Sequence, residues 1–170
     1  VNIIIFTCLG FYLLLIIMGL NPWLALVASI AYGISSNLLS SLGAGHNTKI
    51  LTIAYMAPAI GGVALAFRGK LLIGAFLTAL FVGLMITAGH YQIIYYFMLT
   101  CLIAGVVFLI YAIKEKTLKN YAKTIGLLVL AGVLGFLPNF SKVYNTYDHS
   151  KETIRGGKKL LSTQDKKDEG

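Results

Sequence analysis

Few side chains in this 170-residue chain can do chemistry, and most of them sit in short polar gaps between long apolar runs. One gap is Gly43-Ala44-Gly45-His46-Asn47-Thr48-Lys49, a second is His90-Tyr91-Gln92, and a third begins at Ser150-Lys151-Glu152-Thr153-Ile154-Arg155-Gly156-Gly157. Asn47 or Thr48 can cap the helix that follows the first gap, which puts His46 and Lys49 at its first turn. Unpaired backbone N–H groups and the positive end of the dipole favour an anion there. A cation in that place is unfavourable by a few tenths of a kcal/mol unless a negative group joins it, and a phosphate would satisfy both. The plainer reading is a capped helix whose Lys49 snorkels to lipid headgroups. Gly43 and Gly45 either let the backbone come close to a ligand or serve the loop alone. His90 and Gln92 divide in the same way. They line a site, or they form the polar turn between two spans, with Tyr91, Tyr95 and Tyr96 as an aromatic belt.

The carboxylates narrow the chemistry further. Residues 1–114 contain no Asp or Glu, so a general base on this side would be Asp148, Glu152, a histidine or a residue outside the chain. His46 and His90 without a third ligand fall short of a zinc site, and no metal is expected. Ionisable groups are missing from the apolar runs, which disfavours a proton-driven carrier. Cys8 and Cys101 lie inside those runs with no Cys-x-x-Cys spacing, and read as packing residues.

The elements that must position these groups follow from composition. The chain is 58% hydrophobic and 12% charged with a mean hydropathy of +0.81, against about 25% charged in a soluble domain. That excludes an ordinary soluble fold. The net charge of +8 is spread over short gaps and forms no nucleic-acid-binding face. A span needs about 20 apolar residues, and such runs occur at 3–20, 22–42, 50–67, 71–88, 93–113 and 124–140. The expected fold is all-α, a polytopic bundle of about six transmembrane helices over 1–140 followed by a hydrophilic, outward-facing tail over 141–170. None of the runs alternates with period 2, which excludes a β-barrel reading.

Asn21-Pro22 starts the second helix as cap and first residue. Pro58 should kink the third. Ala57/Gly61 and Ala75/Ala79/Gly83 carry small residues four apart, which lets helices approach in lipid. Ser35, Ser36, Asn37, Ser40 and Ser41 occupy the last third of the second span. Arg68, Lys70, Lys114, Lys116, Lys119 and Lys123 share one side of the membrane, with Lys49 and Lys142 on the other. Cytoplasmic loops are enriched in Lys and Arg, so the six mark the cytoplasm and the polar gaps face outward. The chain opens on Val1 and enters an apolar run within two residues, which reads as a piece of a longer protein.

Gly45-His46-Asn47-Thr48-Lys49 leading into Ala54-Tyr55-Met56-Ala57-Pro58, then Arg68-Gly69-Lys70, His90-Tyr91-Gln92-Ile93-Ile94-Tyr95-Tyr96 and Ser150-Lys151-Glu152-Thr153-Ile154-Arg155-Gly156 appear in order along the chain. In these motifs the chain resembles the YfhO family of bacterial membrane proteins, especially its Bacteroidetes-type members. The resemblance implies the GT-C glycosyltransferase superfamily and a location in the bacterial cytoplasmic (inner) membrane. It further implies an outward-facing site that transfers a sugar from a polyprenyl-phosphate-linked donor to a cell-envelope acceptor. The acidic catalytic residue of such enzymes lies in an outer loop near the N-terminus that this stretch lacks, so the piece alone is expected to be inactive. Partners would be membrane lipid and the lipid-linked sugar donor, with His46, Lys49, His90, Gln92 and Arg155 as candidate donor-phosphate residues. The alternative is a non-catalytic membrane protein, either a lipid-linked glycan transporter or a scaffold subunit.

Overall fold

A computed structural model describes residues 2–152, and every described element is helical. The helices are α1 (Asn2–Met18), α2 (Pro22–Gly33), α3 (Ser36–Gly43), α4 (Asn47–Phe67), α5 (Leu71–Ala88), α6 (Tyr91–Lys114), α7 (Leu118–Phe136) and α8 (Phe140–Glu152), with a 3₁₀ turn over Leu137–Asn139. The chain divides into two units, one ending at Pro138 and the other starting at Asn139 and containing α8. Five helical runs are long and apolar enough to cross a membrane: Pro22–Gly43, Asn47–Phe67, Leu71–Ala88, Tyr91–Lys114 and Leu118–Asn145. The protein is an all-α, multi-pass membrane protein.

Local chemistry explains where these helices differ from the apolar runs. α1 has 17 residues and ends at Met18, because Gly19 turns the chain with φ +90°. The run at 22–42 is two helices. Ser35 takes an extended conformation, φ −59° and ψ 144°, where serine and asparagine side chains compete with helical bonding. α7 starts at Leu118, ahead of its apolar run, and carries Lys119, Asn120 and Lys123 in its first turns. The segment beyond 140, expected as a hydrophilic tail, begins with the helix α8.

α4 is the central helix and packs against α1, α3, α5, α6 and α7. Lipid tails are as apolar as leucine, so helices associate here through close van der Waals fit rather than hydrophobic exclusion. α4 therefore turns small residues to its neighbours: Ala57, Ala59, Gly61, Gly62 and Ala66 are all buried. A Cβ on Gly74 of α5 would fall 2.6 Å from the Gly62 carbonyl oxygen, so the two backbones touch. α1 reaches α4 by a related route. Pro58 has no N–H for the Ala54 carbonyl four residues earlier, and the backbone of Gly10 lies directly against that freed oxygen. Larger side chains fill the remaining space, with Ala59, Val63, Met85 and Phe97 forming the buried cluster. Phe67 stacks on Phe108 at 4.1 Å, and Tyr121 Oη donates to the Gly105 carbonyl at 3.1 Å, joining α7 to α6. At the turn between α4 and α5, Arg68 Nη1 donates to the Ile17 carbonyl at the end of α1 at 2.5 Å.

Candidate functional site

Two turns at one end of this bundle meet. The first leaves α3 at Gly43, passes through Gly45 with φ +77°, and reaches His46, the N-cap of α4. The second leaves α5 at Gly89, a left-handed cap with φ 84° whose N–H returns to the Met85 carbonyl, and reaches His90, the N-cap of α6. Left-handed caps of this kind end a helix in one residue, so the next helix starts at once and its open N–H groups face the same space. Between the two turns lies an open-sided cleft of about 390 Å³ lined by His46, Lys49, His90, Gln92, Ile93 and Tyr96.

The lining is rich in donors and has no acid. Lys49 is half-buried on the first turn of α4, and its Nζ donates to Ser41 Oγ on α3 at 3.5 Å. That distance marks a weak bond, so most of the ammonium's capacity remains for a ligand. His46 is exposed and His90 is half-buried. Neither histidine makes a side-chain cap bond, although both occupy N-cap positions. The plain reading of these residues as capping groups therefore loses its physical reason. Nδ1 of His90 is buried without a hydrogen-bond partner. Gln92 Nε2 donates to Tyr96 Oη at 3.0 Å. This bond orients the amide and leaves its carbonyl and second N–H open, while the phenol keeps its own proton to give.

Four of the five residues picked out by sequence thus line one cleft, although His46 and Lys49 are separated from His90 and Gln92 by the whole of α4 and α5. Arg155, the fifth, lies outside the described residues. Tyr96 and Ser41 belong to the site and were not picked out: Tyr96 read as an interfacial aromatic, yet its spacing of four from Gln92 on a helix was the available signal. Among the described residues no group of three or more His, Cys, Asp or Glu side chains comes together to hold a metal ion.

Fold and cleft define a class, a multi-pass α-helical membrane protein with a cationic pocket at one end of its bundle. No family model, no curated protein and no solved structure matches the chain. The resemblance to the YfhO family rests on the motifs quoted above.

Proposed function

We propose that this cleft binds the phosphate of a polyprenyl-phosphate-linked sugar, as part of a bacterial inner-membrane glycosyltransferase acting on a cell-envelope acceptor. The observation that carries the reading is the lining itself. It holds one half-buried ammonium, two imidazoles, an oriented amide and a phenol, with two helix N-termini opening into it and no carboxylate. Lys49 acts as a point charge on the phosphate, the helix termini add their N–H groups, and the apolar helices below accommodate the lipid chain. Negative charge developing on a departing phosphate would be stabilised by the same groups.

Titration of the protein in nanodiscs with a polyprenyl-phosphate donor tests the reading. Lys49→Ala should weaken binding by about 10- to 150-fold, equivalent to the roughly 1.5–3 kcal/mol of a charge-assisted hydrogen bond. Lys119→Ala, on α7, should leave it unchanged. Equal affinities for wild type and Lys49→Ala would return Lys49 to the role of a headgroup anchor.

The lack of a carboxylate in the cleft favours a second reading, a non-catalytic protein that carries or scaffolds a lipid-linked glycan. Donor binding with no sugar transfer, in the presence of a cell-envelope acceptor, would support it.

A further inference from the structure

The second membrane span is interrupted, and the interruption leaves polar groups on its surface. α2 rises about 18 Å from Pro22 to Gly33 at 1.5 Å per residue. Ile34 and Ser35 then leave the helix, and α3 starts again at Ser36. The first-turn N–H groups of any helix lack intrahelical partners, and Ser35, the N-cap, supplies no side-chain bond to them. The two faces of α3 differ. Leu38 and Ser41 are buried against the bundle, whereas Ser36, Asn37 and Ser40 are exposed.

Depth gives this pattern its meaning. Ser36 lies about 12 Å along the helix axis from Ala44, where the span ends, which places it well inside a hydrocarbon core about 30 Å thick. Irregular backbone and uncapped N–H groups do not face acyl chains; at membrane depth they are tolerated only against protein or against water. The exposed hydroxyls and amide show that no described helix covers this face. Water remains. α3 also runs straight into the turn that carries His46, and its buried face holds Ser41, the acceptor of the Lys49 ammonium.

We infer that Ser36, Asn37 and Ser40 line a water-filled vestibule that enters the membrane beside α3 and opens onto the His46–Lys49 cleft. It gives a charged or hydroxylated headgroup a polar route between the cleft and the interior of the membrane. This conclusion does not depend on which ligand the cleft takes.

Solvent accessibility of single cysteines decides it. In a background with Cys8→Ala and Cys101→Ala, cysteines replace Ser36, Asn37 and Ser40, the lipid-facing Leu26 and Ile30 of α2, and Ala44 as a loop control. The protein is held in nanodiscs, so both membrane faces are open to a charged thiosulfonate reagent. A thiol reacts as its thiolate, which forms in water and not in an apolar surround, so positions 36, 37 and 40 should react at least about tenfold faster than 26 and 30. Two of the replacements exchange only oxygen for sulfur, which keeps the fold. Rates at 36, 37 and 40 as slow as those at 26 and 30, with Ala44→Cys still labelled, would overturn the vestibule: that is the result expected from lipid or from a partner seated on this face.

Discussion

Tyr96 takes its role from a neighbour one helical turn away. Alone it is an aromatic ring near a membrane boundary, more than half exposed, where tyrosine is common. Beside Gln92 it becomes the acceptor that aims an amide into the cleft. Tyr96→Phe keeps the ring and removes only that acceptor, so Gln92 regains its rotamers. A neutral hydrogen bond is worth about 0.5–1.5 kcal/mol, which corresponds to about a 2- to 13-fold loss. Donor affinity should fall by that factor in the nanodisc titration, and Tyr96→Phe combined with Gln92→Ala should lose little more than Gln92→Ala alone. Additive losses would show that the two side chains act separately. His46 and Lys49 were legible as candidates because a cation at a helix start is an anomaly in one dimension. The buried Nδ1 of His90 was not legible, since its lack of a partner depends on residues distant in sequence.

At the scale of elements, the contact of α4 with α5 depends on the absence of side chains. Gly62 and Gly74 bring two backbones together, and a methyl group on Gly74 would fall 2.5 Å from the Ala66 nitrogen and 2.6 Å from the Gly62 oxygen. Backbone atoms cannot rotate aside, so the helices must part. Gly74→Ala should cost about 1–3 kcal/mol, read from unfolding in mixed detergent–denaturant micelles. Gly126→Ala on α7 is the matched control, because nothing lies within 4 Å of its Cβ position. It should be neutral or stabilising by up to about 1 kcal/mol through helix propensity alone. Similar losses in both variants would remove the packing argument. The spacing of small residues announced such seams without saying which helices they join. Gly61 faces Leu14 and Ile17 of α1, Gly62 faces α5, and Gly83 meets Gly135 of α7.

At the scale of the whole bundle, connectivity sorts the turns into two groups. The turns at His46 and His90 share a cleft, whereas the turn at Arg68 reaches the end of α1. Arg68 and Lys70 lie at that second turn, and Lys114, Lys116, Lys119 and Lys123 lie at the start of α7 or just before it. This excess of basic residues should place that end in the cytoplasm and the cleft outside. In intact cells, in the same cysteine-free background, an impermeant thiol reagent should label Ala44→Cys and spare Lys119→Cys. The reverse pattern would invert the protein.

The apolar runs by themselves determined that the chain crosses a membrane repeatedly as helices, since partition into lipid is summed residue by residue along a segment and backbone bonding in lipid leaves few alternatives. The composition of the gaps determined which residues could meet an anion. The meeting itself was decided only in three dimensions. His46 and His90 come together because Gly62 and Gly74 let α4 and α5 lie backbone to backbone, which sets the two turns side by side. The break between α2 and α3 was also hidden within a run that reads as one span. Helix continuity at Ser35 is a balance between backbone and side-chain hydrogen bonds, and hydropathy does not register it.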